Sequence, residues 1–267
     1  MNKSRKYGRS LHAQISLGTT SDDRFMPNGY VKAFAAMNGL VLTEKLDGQN
    51  NCFNKHGIFA RSHASPSHHP WDKPLREKWN LIKNDLKDLE IFGENMFGIH
   101  SIAYSKLASY FYVFAIREGS NWLSWEEVKF YAALLDFPTV PEIKITTKLK
   151  TIYTDKKPEN DLLEKWLVCN LNMHWTESVK TAGLLGGHDP NTKKHCSEGF
   201  VIRNIDGFKT NDGTIKVASN EFNNLFKLVR PKHVKTDVHW SKTWKKATLI
   251  NYDKYNWTGY KYLSYNK

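Results

Sequence analysis

The chain has 267 residues, a formal net charge of +12 at neutral pH and 40% hydrophobic residues. This length predicts one large domain or two small ones, and the hydrophobic content is sufficient for a buried core. No apolar stretch approaches the length of a spanning helix, and no apolar segment follows the basic N-terminus, so we expect neither a membrane protein nor a secretory signal.

The net charge predicts a polyanionic partner, because lysine and arginine neutralise phosphates and release counterions. Nine tryptophans and twelve tyrosines offer rings for stacking on bases. This favours nucleic acid over a basic surface that serves only solubility. Three widely spaced cysteines indicate a reducing compartment instead of a disulfide framework.

Predicted strands and helices alternate irregularly along the chain. Short apolar runs between turn residues predict the strands, and apolar residues at helical spacing predict the helices. In chain order the prediction reads strands 40–46, 51–53 and 57–60, loop 62–71, helix 72–89, strands 91–94 and 110–116, helices 124–135 and 161–175, and strands 198–203, 214–218 and 224–230. A capping box of Ser124 and Glu127 opens the second helix. This order favours an α+β fold with largely antiparallel sheets over a doubly wound fold.

The last segment, residues 241–267, differs in composition from the rest. It contains six lysines against one acidic residue, with tryptophans and tyrosines between them. Such a segment grips RNA by phosphate contact and stacking, or packs its rings on the main domain with the lysines outward. We treat it as an appendage and keep both interpretations.

Residues 44–48, which read EKLDG, form the sharpest local pattern. A lysine at the end of a strand, before an Asp-Gly turn, can project into a cleft, and the turn glycine lets a ligand approach the backbone. Burial or a neighbouring cation or metal can lower the pKa of such a lysine enough to make the amine a nucleophile. Alone, the pattern describes an ordinary surface turn better.

Three later segments supply the groups that nucleotidyl transfer requires. Glu94 lies in FGEN, Glu198 opens EGFVIR, and Lys227 and Arg230 begin and end KLVR. Carboxylates hold a divalent metal, cations neutralise phosphates, and a lysine attacks in line with the departing pyrophosphate.

Together these motifs resemble the ATP-dependent RNA ligases of the phage nick-sealing type and their bacterial relatives, within the covalent nucleotidyltransferase superfamily. The extension of the FGEN segment, residues 96–102, is closer to RNA ligases than to DNA ligases. The similar segments are 44–48 for motif I, 92–95 for motif III, 112–116 for motif IIIa, 198–203 for motif IV and 227–230 for motif V.

The resemblance implies an adenylation domain over residues 1–240, followed by the appendage. It implies ATP as the source of a lysyl–AMP, Mg²⁺ or Mn²⁺ as the metal, and RNA with 5′-phosphate and 3′-hydroxyl ends as the substrate, a nicked duplex being one candidate. We expect a monomer with no membrane partner that repairs RNA in the cytoplasm of a bacterium or a phage-infected host.

The resemblance also implies a catalytic set. Lys45 is the adenylylated nucleophile, Glu198 supports metal binding and Lys227 contacts the α-phosphate. Glu94 binds the ribose or a metal-bound water. Relatives often have a second lysine in motif V where this chain has Val229, so Arg230 or Lys232 is the candidate for that charge.

Further residues are implied to bind the nucleotide. Glu44 contacts adenine through its backbone, and Arg61 contacts the sugar and phosphate end. Asp47 is a direct participant or only a turn residue. Phe114 stacks on adenine or packs in the core.

Several alternatives stay open. Arg203 belongs to motif IV or is simply a solvated charge at a strand end, and His100, His233 and His239 have no assigned role. A zinc site lacks the paired spacing it needs; the residues considered for it are His63, His68, His69, His188, His195 and Cys196.

The rival enzymes are a small DNA ligase and a capping guanylyltransferase. The rival of another class is a non-catalytic RNA-binding protein with a ligase-like fold. The intact Lys45, Glu94, Glu198 and Lys227 argue against this last alternative.

Overall fold

A computed structural model describes residues 4, 6–8, 10–21, 23–61, 64–150, 159–209, 224–231, 233, 240–242 and 244–250. The predicted strand 214–218, His63, Lys232, His239 and the tail after residue 250 lie outside the described residues. Among the helices of the described ranges, none has the length and apolar character needed to cross a membrane.

The described residues form thirteen strands and five α-helices. The strands are β1 (Leu11–His12), β2 (Leu40–Lys45), β3 (Gln49–Asn54), β4 (Gly57–Ala60), β5 (Leu89–Asn95), β6 (Ala103–Tyr104), β7 (Phe111–Glu118), β8 (Asn121–Trp122), β9 (Glu142–Thr146), β10 (Gly187–His188), β11 (Gly199–Asn204), β12 (Phe208–Lys209) and β13 (Leu225–Val229). The helices are α1 (Tyr30–Ala35), α2 (Lys73–Ile82), α3 (Trp125–Leu134), α4 (Glu159–Leu171) and α5 (Trp175–Ser178).

Two large sheets organise the fold. A five-stranded sheet has the order β1-β13-β11-β2-β9, and a six-stranded sheet has the order β12-β8-β7-β5-β3-β4. Strands β6 and β10 form a separate pair. Neighbouring strands are antiparallel except for β1, which runs parallel to β13. The predicted α+β class with antiparallel sheets is therefore confirmed.

Most predicted elements that fall on described residues are confirmed, but two helices end earlier than predicted. Helix α2 ends at Ile82, where the Asp85 N–H donates to the Ile82 carbonyl three residues back, and Lys87 then has a φ of 46°. Helix α4 ends at Leu171, before Asn172 with a φ of 51°. The predicted capping box is present, since the Ser124 hydroxyl accepts the Glu127 N–H and the Glu127 carboxylate accepts the Ser124 N–H.

The two faces of β2 belong to different cores. Leu40 and Leu42 pack with apolar side chains of α1 and α4. Val41 joins the larger core, which also contains side chains of the six-stranded sheet, α2 and α3. Because side chains alternate along a strand, Thr43 and Lys45 lie on the face of Val41.

The turn after β2 carries the chain from one sheet to the other. Lys45 ends β2 in the five-stranded sheet, and Gln49 begins β3 in the six-stranded sheet. A Cβ on Gly48 would lie 2.5 Å from the Asn95 carbonyl oxygen. The glycine is thus required for the close approach of this turn to β5, whereas the sequence interpretation assigned that space to a ligand.

Part of the predicted appendage packs on the main domain. Within residues 244–250, the Lys245 carbonyl accepts the Ile99 N–H at 2.8 Å. The Ala247 N–H donates to the Phe97 carbonyl at 2.8 Å, and Ala247 is buried. For this described part of the segment, the packing interpretation holds.

Truncation after Lys242 removes these contacts, whereas truncation after Ile250 keeps them. We expect the shorter chain to unfold at least about 5 °C below the longer one, because buried apolar surface and backbone hydrogen bonds are lost. Thermal unfolding followed by circular dichroism measures the difference. Equal midpoints would show that residues 244–250 contribute nothing to stability.

Candidate active site

Lys45 and Glu198 form the centre of the site. The Lys45 Nζ lies 2.5 Å from Glu198 Oε1. The antiparallel register places Gly199 opposite Lys45, so the residue just before β11 lies beside the last residue of β2. The Glu198 side chain is buried and that of Lys45 is partly exposed.

Asp47 reaches the same space from the turn after β2. Its backbone N–H donates to the Tyr104 hydroxyl at 2.9 Å, and its Oδ2 accepts the Ile102 N–H at 2.8 Å. The side chain is buried. Asp47 is therefore held in the site by two hydrogen bonds, and it is more than a residue of an exposed turn.

His233 completes this group. Its Nε2 lies 3.3 Å from Asp47 Oδ1 and 3.4 Å from Glu198 Oε1. Burial acts to lower the pKa of His233, but Glu198 and Asp47 outweigh it and hold the pKa above the ordinary value of histidine. Sequence reasoning left this histidine without a role, because no local pattern near it differs from that of an ordinary loop.

Glu94 approaches the site from the six-stranded sheet. In the β3–β5 register it lies opposite Asn50, and its Oε1 accepts the Gly48 N–H at 3.1 Å. Burial raises the pKa of Glu94 to about 8, against the charge of Lys45. The side chain therefore holds a proton more readily than an exposed glutamate does.

Lys227 contributes the second amine. It lies opposite Val201 on β11, and Val201 lies opposite Thr43 on β2. Its Nζ is 3.6 Å from Asp23 Oδ1. Burial and the charge of Lys45 lower the pKa of Lys227. Asp23 has no motif around it, and sequence reasoning did not identify it.

Arg61 lies just beyond β4 and is exposed. Its charge also acts to lower the pKa of Lys227, which shows that the two cations lie within electrostatic range of each other. Arg61 thus lies on the Lys227 side of the site. Among the described residues, no acidic side chain forms an ion pair with Arg61.

Three side chains of the site can hold a metal ion. One oxygen each of Asp47 and Glu198 and one nitrogen of His233 lie within 4.8 Å of one another. Oxygen ligands suit Mg²⁺ and Mn²⁺, and an added imidazole favours Mn²⁺ over Mg²⁺. Glu94, which was predicted as a metal ligand with Glu198, lies outside this group and is hydrogen-bonded to the Gly48 backbone.

The amine of Lys45 is held as a cation in this arrangement. Burial acts to lower its pKa, but the carboxylates of Glu198, Glu94 and Asp47 outweigh burial and hold the pKa above the ordinary value of lysine. The sequence interpretation expected a depressed pKa. The physical reason for the difference is that the site carries three acids, and the cationic form of Lys45 offsets their charge.

Glu44 points to the opposite side of β2 from Lys45. Its side chain is buried, and its carboxylate accepts the Leu184 N–H at 2.9 Å. Its own N–H donates to the Pro141 carbonyl at 2.9 Å. Burial raises the pKa of Glu44 to about 7. In this structure its side chain anchors the loop around Leu184.

Phe114 lies half-buried in β7. Its ring contacts that of Tyr7 edge to face, with the centroids 5.1 Å apart. The Phe114 carbonyl accepts a hydrogen bond from the Arg203 guanidinium at 3.3 Å. Packing therefore accounts for one side of the ring, while stacking on adenine stays a prediction.

Arg203 is buried, so its interpretation as a solvated charge is wrong. Its Nη2 donates to the Leu123 carbonyl at 2.9 Å, and its guanidinium lies over the Trp125 ring. Burial lowers the pKa of Arg203 to about 10. The arginine links β11 to β7 and α3, where its guanidinium donates to the Phe114 and Leu123 carbonyls.

Arg230 lies one residue beyond β13, and its N–H donates to the Glu198 carbonyl at 2.9 Å. Its side chain lines a cavity to which neither Lys45 nor Lys227 contributes. The second cation of motif V stays a prediction, and Lys232 lies outside the described residues.

The other described histidines lie outside the group formed by Asp47, Glu198 and His233. Burial acts to raise the pKa of Asp47. The hydrogen bond and charge of His233, together with the charges of His100 and Lys45, outweigh burial and hold the pKa below its ordinary value. The ligand group found among the described residues contains none of the residues considered for zinc. Those within the described ranges are His68, His69, His188, His195 and Cys196.

A family comparison identifies the chain. The RNA ligase family model matches residues 39–229, which is more than half of the chain. The chain belongs to the RNA ligase family. The resemblance drawn from motifs I to V is thereby confirmed for the family. No curated protein matches the chain.

Solved structures of RNA ligases are similar to the chain. An apo mutant of Naegleria gruberi RNA ligase has a TM-score of 0.45 at 15% identity, with 84% of this chain and 58% of that chain covered. The same ligase with PPi gives 0.44 at 15%, with 86% and 60% covered. An archaeal ATP-dependent RNA ligase gives 0.46 at 12%, with 85% and 48% covered. The chain thus spans about half to three fifths of these proteins.

The raised pKa of Glu44 predicts a pH-dependent stability. Between the ordinary pKa of 4.5 and about 7, the folded chain binds more protons than the unfolded chain, so the free energy of unfolding falls as pH rises through this window. The Glu44→Gln variant has no carboxylate at this position, so its free energy of unfolding does not fall in this window for that reason. We expect the variant to gain roughly 2–3 kcal/mol relative to wild type between pH 4.5 and pH 8.

Urea denaturation at the two pH values measures the change. Glu177→Gln is the matched control, because Glu177 is exposed and pairs with Lys180 at the surface. If Glu44→Gln and Glu177→Gln show the same pH dependence as wild type, Glu44 does not titrate near neutral pH.

Proposed function

We propose that the chain is an ATP-dependent RNA ligase that joins RNA 3′-hydroxyl and 5′-phosphate ends through a covalent lysyl–AMP at Lys45. The observation that carries the assignment is the position of the Lys45 Nζ, beside the carboxylate of Glu198 and within range of Glu94, Asp47 and Lys227. Membership of the RNA ligase family supports the class of reaction.

In the first step the Lys45 Nζ forms a bond to the α-phosphorus of ATP. The bond from that phosphorus to the bridging oxygen breaks, and pyrophosphate leaves with the electron pair. The amine must lose its proton before it attacks. Since Glu198, Glu94 and Asp47 hold the proton on Lys45, neutralisation of these carboxylates favours the nucleophilic form.

A divalent cation fits this requirement. Asp47, Glu198 and His233 would hold it, and it would supply positive charge against the phosphates and against the acids that raise the Lys45 pKa. Lys227 lies near enough to Lys45 and Glu198 for their charges to act on its pKa. We propose that Lys227 stabilises negative charge on the α-phosphate.

In the second step the AMP passes from Lys45 to an RNA 5′-phosphate, which forms a 5′–5′ pyrophosphate. In the third step an RNA 3′-hydroxyl attacks the 5′-phosphorus, and AMP departs. Each step is an in-line displacement, so positioning and charge neutralisation supply most of the acceleration. The net charge of +12 suits a nucleic-acid substrate, and the proposed setting is RNA repair in the cytoplasm.

Incubation with α-labelled ATP and Mn²⁺, followed by denaturing electrophoresis, tests the first step. Wild type should retain label, Lys45→Ala should lose it, and Lys55→Ala should match wild type because Lys55 is exposed and pairs with Asp88. A chase with nicked duplexes that carry RNA or DNA 3′-hydroxyl strands tests the later steps. The account predicts sealing only or mainly of RNA.

Other outcomes identify the rivals. Label from GTP in preference to ATP indicates a capping enzyme, and equal sealing of DNA strands indicates a DNA ligase. A folded wild type that takes no label with either nucleotide but binds RNA indicates the non-catalytic alternative. Label that persists in Lys45→Ala contradicts the assignment of the nucleophile.

The ligand group predicts a role for His233 in metal choice. His233→Ala leaves two carboxylates and removes the nitrogen ligand. We expect Mn²⁺ to bind about tenfold more weakly, and Mg²⁺ binding to change much less, because imidazole suits Mn²⁺ better. Titration of the protein with Mn²⁺ under electron paramagnetic resonance gives the affinity without reference to activity.

His69→Ala is the matched control, because His69 is exposed and stacks on Trp71. Mn²⁺ affinity that is the same in His233→Ala, His69→Ala and wild type would remove His233 from the metal site.

A further inference from the structure

A cavity lies beside the active site. It has a volume of about 660 Å³ and combines cationic side chains with apolar ones. The cations are Lys180, Lys194 and Arg230, and Leu17, Val179 and Cys196 are among the apolar contributors. We call it the Arg230 cavity. Its volume falls in the range of small-ligand sites.

The charge of the Arg230 cavity is net positive. The Arg230 Nε is shielded from solvent and has no hydrogen-bond partner in the described part of the chain. Lys194 is exposed, and within the described residues its side chain forms no ion pair. Lys180 pairs with Glu177 at 2.7 Å.

The acid that lines the cavity serves its own loop. Asp189 is buried, and its Oδ1 accepts the N–H groups of Asn191 and Thr192 at 2.9 and 3.0 Å. These hydrogen bonds hold the turn that presents Lys194. The Asp189 carboxylate therefore organises the cavity wall, and the shielded Nε of Arg230 is available to an anion.

The wall of the cavity is continuous with the segment that carries Glu198. The Arg230 N–H donates to the Glu198 carbonyl at 2.9 Å. Cys196, which lines the cavity, precedes Glu198 by two residues. The cavity wall and the segment that carries Glu198 are thus joined by the backbone, although neither Lys45 nor Lys227 lines the cavity.

We infer that the Arg230 cavity binds one nucleotide of the RNA substrate, with its phosphate on Arg230 and Lys194 and its sugar or base on the apolar wall. A phosphodiester satisfies the unpaired guanidinium nitrogen, and an apolar surface beside it suits the rest of a nucleotide. The inference rests on the proposed function, since it assigns part of the RNA to this chain. It adds a site that is separate from the proposed ATP site.

Adjacent lysines allow a matched test. Lys194 lines the cavity, whereas Lys193 does not line it and donates to the Pro190 carbonyl. Both are exposed, so neither substitution threatens the fold. The variants are Lys194→Ala and Lys193→Ala, with Arg230→Gln as a second cavity variant whose folding is checked by its unfolding midpoint.

Binding of a nicked RNA duplex is measured at several salt concentrations by fluorescence anisotropy, and labelled AMP adduct is measured in parallel. Lys194→Ala should weaken RNA binding about three- to tenfold and reduce the slope of log affinity against log salt by about one. Lys193→Ala should match wild type. Arg230→Gln should weaken RNA binding at least as much as Lys194→Ala, and Lys194→Ala should form adduct as wild type does.

Equal RNA affinity and equal salt slopes for Lys194→Ala and Lys193→Ala would overturn the inference. Loss of adduct in Lys194→Ala would also overturn it, because the cavity would then serve ATP. Failure of the proposed function gives a different result, in which wild type itself takes no label and seals no RNA.

Discussion

The ion pair between Lys45 and Glu198 is the contact on which the site depends. It joins two residues that are 153 positions apart, and it exists because β2 and β11 pair in one register. A shift of that register by one residue would turn the side chains of one strand to the opposite face. The apolar faces of both strands are buried against α1 and α4, so the core that stabilises the sheet also fixes the distance between the two charges.

Around this pair the fold gathers carboxylates and cations where water has little access. A buried charge is costly unless it is paired. The charged side chains of this site form ion pairs or have shifted pKa values. Lys45 and His233 are held as cations by acids, whereas Glu94 binds its proton more tightly. The site thus pairs its charges with one another. Under the proposed function, ATP and a divalent cation replace these internal pairings, which releases Lys45 for attack.

Much of this arrangement was predictable from the sequence, because strand patterns and short motifs are local. The strands that carry Lys45, Glu94 and Lys227 are confirmed. Glu94 and Lys227 both lie within electrostatic range of Lys45. Other features depend on tertiary contacts that no local pattern records. His233 enters the site from a segment with no periodicity, Arg230 lines a neighbouring cavity, and Gly48 fits against a carbonyl of β5. Asn172 directly follows α4 and adopts a positive φ, which apolar spacing does not reveal.

The central claim is that Lys45 becomes the covalent carrier of AMP. Peptide mass spectrometry of the full chain after incubation with ATP and Mn²⁺ tests it most directly, provided that digestion and separation avoid acid. The account predicts one AMP per chain, on the peptide that contains Lys45 and attached to its Nζ. AMP attached to Lys227 instead, or a folded chain that carries no AMP after this incubation, would contradict it.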